Sequence, residues 1–197
     1  MGISVAVINP PFSGTTSSFT IAVLREGTNV IYDVKSGIPG VKITAGVMSD
    51  VSLTKADPDA IQSRNKLMDY ILDFQLRNPL GENAVILFEF PPSFLIDTSA
   101  ALLRYIRYGL EDPTEDSVAQ ITVDSKNVLR ITNFAPFTEP QKMSLYLRLV
   151  NPDNVGETTP VNIRTYLDSL ETILVDEDTT GAYTVIEDIS NISDYQA

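Results

Sequence analysis

The most regular feature of this chain is a set of short runs in which apolar and polar residues alternate with a period of two. Residues 68–76 (MDYILDFQL) and residues 144–150 (SLYLRLV) alternate most clearly. Residues 84–90 (AVILFEF) form a nearly continuous apolar run instead. An alternating run predicts a strand with one buried face, whereas a continuous apolar run is typical of a strand in the middle of a sheet.

Turn-forming residues separate these runs. Residues 124–127 (DSKN) lie between the apolar runs 120–123 and 128–131, and Asp, Ser and Asn accept the backbone conformations of a tight turn. This pattern predicts a β-hairpin. Residues 37–40 (GIPG) interrupt both the helical and the strand period, which predicts a linker and a domain boundary at that point.

Residues 95–110 are the one segment whose apolar residues fall near helical spacing, at Leu102, Leu103, Ile106 and Leu110. This segment predicts a helix or a long irregular excursion. Elsewhere seven or eight short strands follow one another at intervals of roughly ten residues, which is typical of an all-β sandwich. The predicted fold is therefore an immunoglobulin-like (Ig-like) antiparallel β-sandwich.

A degenerate internal repeat underlies the pattern. Residues 150–176 (VNPDNVGETTPVNIRTYLDSLETILVD) resemble residues 8–33 (INPPFSGTTSSFTIAVLREGTNVIYD) at an offset of 142 positions. The matched pairs are Asn151 with Asn9, Pro152 with Pro10, Gly156 with Gly14, Thr158 with Thr16, Val161 with Phe19, Ile163 with Ile21 and, after one inserted residue, Leu174 with Ile31 and Asp176 with Asp33. Each copy is expected to form an incoming strand, an Asn-Pro turn, a Gly/Thr loop and two further strands.

The two copies differ in what surrounds them. Residues 41–178 carry all the strands of one sandwich, whereas residues 1–36 carry only the last two or three. Three strands cannot close a sandwich, because one face of the sheet would stay uncovered. We therefore expect residues 1–36 to be a partial Ig-like unit that docks on, or is donated to, a neighbour, and residues 179–197 to be an acidic tail or a last strand. The predicted assembly residues are Ile3, Val5, Val7, Phe19, Ile21, Val23 and Ile31.

The composition excludes several kinds of chemistry. The chain of 197 residues has a net charge of −12 and a pI near 4.3, which disfavours nucleic acid and anionic membranes as partners. It contains no His and no Cys, which excludes imidazole and thiolate metal sites, disulfides and His-dependent triads. Neither a nucleophile elbow nor a phosphate-binding loop occurs. We expect no catalytic residues, no cofactor and no enzyme activity.

Two acidic clusters are candidate metal sites. Ca²⁺ accepts carboxylates from loops that converge at one end of a sandwich. Neither cluster has EF-hand spacing, so a solvated acidic edge is the alternative interpretation. The candidate ligands are Glu111, Asp112, Glu115, Asp116, Asp176 and Asp178.

Signals for targeting are sparse. No apolar run approaches the roughly 18 residues of a membrane span. The first apolar run ends at Asn9-Pro10-Pro11 and follows no Lys or Arg, so a signal peptide is not predicted. Asn191 begins the single N-glycosylation sequon. The chain is expected to be either cytosolic or a piece of a longer secreted precursor.

The repeat motif resembles a family of extracellular modules. Residues 9–21 (NPPFSGTTSSFTI) place an Asn-Pro turn before a Ser/Thr-rich loop and a strand, and residues 85–94 read VILFEFPPSF. This order is similar to the Ig-like repeats of very large protist surface proteins, notably those of ciliates. The resemblance implies a β-sandwich module at the cell surface or outside the cell. Such modules often carry a Cys pair between the equivalents of Phe94 and Val123, which this chain lacks.

The leading functional hypothesis is a structural protein. Its Ig-like modules are expected to assemble end to end into an extracellular filament or surface coat, with further subunits or neighbouring repeats of the same protein as partners and glycans as a further ligand class. The second hypothesis is a monomeric adhesin-like module that binds glycan or protein through its loops. The third is a viral capsid or tail protein.

Overall fold

The computed structural model describes residues 10–106, 114–115, 119–124 and 127–186. These ranges contain seventeen strand segments and no helix, and so no helix that is long and apolar enough to cross a membrane. In chain order the strands are β1 (Gly14–Thr15), β2 (Phe19–Leu24), β3 (Ile31–Ile38), β4 (Lys42–Ile43), β5 (Gly46–Val47), β6 (Ser49–Lys55), β7 (Leu67–Gln75), β8 (Val85–Glu89), β9 (Leu95–Ile106), β10 (Thr114–Glu115), β11 (Gln120–Val123), β12 (Val128–Thr132), β13 (Lys142–Val150), β14 (Gly156–Glu157), β15 (Asn162–Tyr166), β16 (Leu174–Thr179) and β17 (Thr184–Val185).

Two sheets contain most of these strands. The first has five strands in the order β10-β9-β13-β7-β6, and the second has six in the order β11-β12-β8-β15-β16-β5. Paired strands run antiparallel except β5, which pairs in parallel with β16. The all-β, Ig-like sandwich predicted from the sequence is confirmed.

The core lies between the two sheets. Strand β7 alternates as its sequence predicts, with Tyr70, Leu72 and Phe74 fully buried. Phe74 of the first sheet meets Phe88 of the second edge to face, with ring centroids 5.4 Å apart. Burying a large apolar side chain of this kind stabilises a fold by about 1.5–3 kcal/mol. One continuous cluster of such residues joins both sheets.

Strand β8 lies inside its sheet, as its apolar sequence predicts. It pairs with β12 on one edge and with β15 on the other. Val85, Ile86 and Phe88 are fully buried, while Leu87 and Glu89 of the outer face are more accessible. Both edges of β8 are therefore occupied.

The predicted hairpin between β11 and β12 is confirmed. The Asn127 amide donates to the Asp124 carbonyl at 3.2 Å, and the Val128 amide donates to the Asp124 carboxylate at 3.0 Å. Asn127 has a φ of 64°, which Asn accepts more readily than most residues do. The short polar turn thus closes the hairpin with its own side chains.

The helix expected in residues 95–110 is wrong. Residues Leu95–Ile106 form β9, which pairs with β13 from Leu95 opposite Val150 to Ile106 opposite Lys142. A register shift between Tyr146 and Arg148 of β13 interrupts this pairing. The long edge of β13 supplies hydrogen-bond partners along β9, and this tertiary pairing overrides a weak helical spacing.

Both predicted domain limits fall on strands or on buried residues. Strand β3 continues through Gly37 to Ile38, into the segment expected to be a linker. At the other end Tyr183 and Val185 are buried in the core, and β17 contains Val185. A last strand was one of the two predictions for residues 179–197.

Candidate assembly interface

The sequence repeat is present in the structure as two copies of one strand arrangement. Strands β1 to β4 form the first copy, and strands β14 to β17 form the second. Gly14 of β1 faces Ile43 of β4, and Gly156 of β14 faces Val185 of β17. Both partners are related by the offset of 142 positions. Gly14 and Gly156 also share a positive φ, at 145° and 127°, a region that favours glycine.

The same backbone hydrogen bond closes both copies. The Thr16 amide donates to the Val41 carbonyl at 3.0 Å, and the Thr158 amide donates to the Tyr183 carbonyl at 2.8 Å. The donors are 142 positions apart, and so are the acceptors. The strand after each hairpin, β4 in the first copy and β17 in the second, therefore pairs at the same position within its copy.

The two hairpins share an irregularity as well. In the β2–β3 pair the register shifts between Val23 and Leu24, and in the β15–β16 pair it shifts between Thr165 and Tyr166. A bulge adds one residue to one strand and increases the local twist. Because this bulge recurs at the same repeat position, the two copies pair alike from Ile21 and Ile163 onward. The β2–β3 pair has one further register shift, between Phe19 and Ile21.

What differs between the copies is burial. In the second copy β15 lies inside the six-stranded sheet. Val161, just before β15, and the inward residues Ile163 and Thr165 within it are at most 2% exposed. The matching residues of the first copy are 46–55% exposed, and they are Phe19, Ile21 and Val23. Within the described part of the chain β2 pairs with β3 alone. The first copy therefore presents an apolar face and a strand edge to solvent.

Four of the predicted assembly residues lie on this hairpin. Phe19, Ile21 and Val23 lie on β2, and Ile31 begins β3. Ile3, Val5 and Val7 lie outside the described residues. Sequence reasoning omitted further exposed apolar residues of the same unit, although the apolar content of β3 is a signal that could have identified Tyr32 and Val34. The omitted residues are Leu24, Val30, Tyr32, Val34 and Val41.

The N-terminal unit is attached to one end of the sandwich. The Ser13 amide and hydroxyl both donate to the Leu174 carbonyl, at 2.7 Å and 3.0 Å. Phe12 packs against the main core. Because these contacts involve the loop before β1, they hold the base of the unit and leave the β2 face open.

A buried carboxylate strengthens the same end. Asp176 of β16 accepts hydrogen bonds from the backbone amides of Arg77 and Asn78, both at 3.0 Å, and from the Asn78 side-chain amide at 2.6 Å. Its backbone pairs with Gly46 of β5. A Cβ atom at Gly46 would overlap the Asp176 carboxylate. Asp176 therefore joins β16 to the turn after β7 and to the strand that enters the sandwich from the N-terminal unit.

The Asn-Pro turn of the second copy has a structural role at the opposite end. The Tyr70 hydroxyl donates to the Asn151 side-chain oxygen at 2.6 Å, and the Asn151 side-chain amide donates to the Ser63 carbonyl at 2.7 Å. The Tyr70 hydroxyl also contacts that of Tyr183. Asn151 is thus a buried link between β7, β13 and the segment before β17. Sequence reasoning treated this Asn as a turn residue only.

Burial determines the ionisation of this network. Loss of solvation raises the pKa of the Tyr70 hydroxyl far above its ordinary value, and the adjacent Tyr183 hydroxyl raises the Tyr70 pKa further. Burial also raises the pKa of Tyr183. Both phenols therefore stay protonated in the folded chain, where they act as hydrogen-bond partners.

The described residues do not assemble a metal site. No group of three or more acidic side chains in the described ranges is arranged to hold a metal ion. The Asp176 carboxylate already accepts three protein hydrogen bonds, and Asp178 accepts one from the Thr179 amide at 2.7 Å. The structure does not bring these two into a cluster with other acidic residues that it describes. The remaining candidates Glu111, Asp112 and Asp116, the Glu115 side chain and the sequon residue Asn191 fall outside the description.

A charged groove crosses the outer face of the six-stranded sheet. It encloses about 350 Å³ between β8, β12 and β15. Arg164 lies 3.5 Å from Glu89, and Arg130 pairs with Glu171. These ion pairs satisfy charges that a polar ligand would otherwise meet, so the groove is a weaker candidate for binding than the open hairpin.

Comparison with known proteins gives remote structural similarity. The full-length major pilin of Corynebacterium diphtheriae is similar over 92% of this chain and 63% of its own, with a TM-score of 0.46 and 11% identity. The major pilin subunit of Bacillus cereus is similar over 87% of this chain, with a TM-score of 0.44 and 8% identity. The collagen-binding domain of a Staphylococcus aureus adhesin is similar over 66% of this chain and 95% of its own, with a TM-score of 0.40 and 12% identity.

The chain spans about half the length of the Bacillus cereus pilin subunit, namely 48%. No family model matches the sequence, and the search of curated proteins found no match. Because every TM-score quoted lies below 0.5, these similarities carry no argument about function.

Proposed function

We propose that this protein is a structural segment of an extracellular filament or surface coat, in which Ig-like β-sandwich modules are joined head to tail. The observation that carries the proposal is the pair of matched copies. The second copy completes a sandwich. The first copy shares its pairing from Ile21 onward and its bulge, but exposes the apolar face that the second copy buries. An exposed apolar face of this kind marks an interaction surface.

The positions of the two copies favour a linear arrangement. The N-terminal unit meets the sandwich at Leu174, which pairs with Tyr166 at the end of β15. The second copy closes at the opposite end of β15, where the Ile186 amide donates to the Gln62 carbonyl at 2.9 Å. Contacts that use different surfaces of each unit generate open filaments when the rotation does not close a ring.

The partners in this proposal are neighbouring sandwich modules, either in other subunits or in further repeats of the same polypeptide. The resemblance of the Asn-Pro motif to ciliate surface-protein repeats supports a location at the cell surface or outside the cell. Acidic surfaces and the absence of Cys are compatible with that location. Enzyme activity is not part of the proposal.

A longer polypeptide tests the head-to-tail arrangement. In this polypeptide, residues 1–185 are followed by two further copies of residues 44–185. Each junction joins Val185 to Thr44. Because Val185 occupies the repeat position of Ile43, the junction repeats the natural step from Ile43 to Thr44. We expect negative-stain images of straight rods whose length grows with the number of units. The bond that attaches one unit to the next runs from the backbone amide of Ser13 to the Leu174 carbonyl, so the residue that takes the place of Ser13 at each added junction can also make it.

A matched control carries about ten Gly and Ser residues at each junction, which makes a flexible linker. Equal distributions of end-to-end distance in the two proteins would contradict a structural filament. They would favour the second candidate, an adhesin-like module with independent units. The charged groove beside Arg164 and Glu89 is the observation that supports that candidate.

A further inference from the structure

One edge of β2 has no partner within the described residues, and it corresponds to the edge of β15 that pairs with β8. In the second copy β15 pairs with β16 on one side and with β8 on the other. The register places Ile163 opposite Phe88 and Thr165 opposite Ile86. The first copy has the β16 equivalent, which is β3, and within the described residues it has no β8 equivalent.

The repeat offset transfers this register to the first copy. Ile21 occupies the position of Ile163, and Val23 occupies that of Thr165. A strand that takes the place of β8 beside β2 therefore brings its Phe88 position opposite Ile21 and its Ile86 position opposite Val23. A shift by one residue would turn the whole apolar set to the outer face, so the buried face fixes the register.

A second finished copy of this chain cannot supply that strand. Both edges of β8 are already paired, with β12 and with β15. An incoming β2 would have to displace β15 and expose Ile163, which is fully buried. The strand must come from a sandwich that lacks its own last strands.

The side chains of the hairpin also describe the partner. On the outer face of the second copy, Asn162 and Arg164 both contact Glu89, at 3.2 Å and 3.5 Å. The matching residues of β2 are Thr20 and Ala22, which offer no positive charge. The complementary strand therefore needs no acidic residue at its Glu89 position. Its core must also accept the larger Phe19 where the second copy has a valine.

We propose that β2 pairs antiparallel with the β8-equivalent strand of an incomplete β-sandwich, with Ile21 opposite the Phe88 position, and that the hairpin thereby completes that sandwich. This inference rests on the proposed function, because it assumes that the hairpin belongs to a module of the same kind. The occupant is thus defined by its chemistry: an apolar strand with a free edge in a sandwich that ends before its β15.

The chain itself can provide such a partner for an experiment. Residues 44–150, which contain β5 to β13 and lack β14 to β17, are joined ahead of residues 9–197. The added β8 then has one free edge, and β2 is the next strand of the repeat to reach it. Because the chain contains no Cys, engineered cysteines report the register. Ala22→Cys is combined with Leu87→Cys in the added copy, since the matching pair in the second copy is Arg164 opposite Leu87.

We expect these two cysteines to form a disulfide on oxidation, seen as a shift in mobility on a non-reducing gel. We also expect the β2 amides to become protected from hydrogen exchange. The control combines Ala22→Cys with Glu89→Cys in the added copy, where the diagonal separation of roughly 7–8 Å prevents bond formation. A second version carries Phe19→Val, which restores the side chain found at Val161 in case Phe19 overpacks the added core.

Absence of both the cross-link and the β2 protection in both versions would overturn the inference, and so would an equally efficient control cross-link. This result is distinct from failure of the proposed function. The rod experiment joins finished sandwiches and does not use the β2 edge, so rods without the cross-link would keep the filament and reject this partner strand.

Discussion

Asn151 shows how one residue of a turn motif can act in the core. Its side chain links Tyr70 to the Ser63 carbonyl, and the residue is buried. We expect Asn151→Ala to lower the free energy of unfolding by about 1–3 kcal/mol, because it removes hydrogen bonds from groups that water cannot reach. Urea unfolding followed by circular dichroism measures the change.

Asn162→Ala is the matched control for this substitution. Asn162 is also an Asn that bonds a side chain, but it does so on the accessible outer face, where it contacts Glu89 at 3.2 Å. We expect a loss within about 0.5 kcal/mol, as for most surface substitutions. Equal effects at Asn151 and Asn162 would contradict the role assigned to the buried network.

The Tyr70 hydroxyl predicts a pH dependence. Its ordinary pKa is 10.0, and burial raises the folded-state pKa well above that value. As the pH rises above 10.0 the unfolded chain loses the proton while the folded chain keeps it, so the free energy of unfolding falls. Below 10.0 both states are protonated, and this contribution is fully present.

Unfolding in urea across alkaline pH tests this dependence. Tyr183→Phe removes one of the two buried phenols, and we expect a shallower decline in that variant. Tyr32→Phe is the control, because it removes a phenol from the exposed hairpin and leaves the buried network intact. If Tyr183→Phe left the decline in the free energy of unfolding unchanged, the decline would originate outside this network.

Gly46 is required by a close approach between chain segments. A Cβ atom there would overlap the carboxylate of Asp176 and the side chain of Asn78. We expect Gly46→Ala to lower the free energy of unfolding by about 1–3 kcal/mol, since the well-packed neighbours must move. Gly81→Ala, where a Cβ atom meets nothing within 4 Å, is the control in the same thermal-unfolding assay. A Gly46→Ala protein as stable as the control would show that this contact can relax.

At the scale of elements, the two hairpins make opposite predictions for the same substitution. Ile163 is fully buried in β15, whereas Ile21 in β2 is about half exposed. We expect Ile163→Asp to prevent folding of the sandwich, because an unpaired carboxylate cannot be buried without a large cost. We expect Ile21→Asp to leave the melting temperature nearly unchanged.

Differential scanning calorimetry and the dispersion of the amide NMR spectrum measure these outcomes. Ala22→Asp, on the other face of β2, is the control for adding charge to the hairpin. Loss of the sandwich transition in Ile21→Asp alone would mean that the β2 face is covered within the chain. That result would remove the reason for seeking an external partner.

For the molecule as a whole, the net charge of −12 opposes both folding and association. Added salt screens this repulsion. We expect the melting temperature to rise from low to physiological ionic strength in NaCl. Titration with CaCl₂ at matched ionic strength, with MgCl₂ as the control, separates screening from a specific calcium site. A larger rise with Ca²⁺ than with Mg²⁺ would support the calcium ligands predicted among the acidic loops.

Local sequence predicted the elements whose cause is local. Alternation identified β7 and β13, the apolar run identified β8, and the turn residues ending at Asn127 identified the β11–β12 hairpin. The error at residues 95–106 has a non-local cause. Apolar residues near helical spacing are compatible with either element, and pairing with β13 determines that the segment is a strand. Its partner is far away in the sequence, so no window around β9 contains the answer.

The candidate interface was predicted in part. Phe19 and Ile21 were selected because the repeat placed them on a strand without a complete sandwich, and the structure describes both as exposed. The sequence did not predict the residues that attach the N-terminal unit to the sandwich. Ser13 bonds Leu174 across 161 positions, and Asp176 bonds Asn78 across 98. Nothing in either short segment specifies the other.

By itself the sequence determined the strand pattern, the internal repeat and the absence of His and Cys chemistry, because each depends on residue identity and short spacing. Only the tertiary structure decided that the two copies share a bulge and the register from Ile21 and Ile163 onward, and that one of them is buried while the other is open. Burial depends on what lies across a sheet. For β15 that neighbour is β8, and for β2 no strand occupies this place within the described residues.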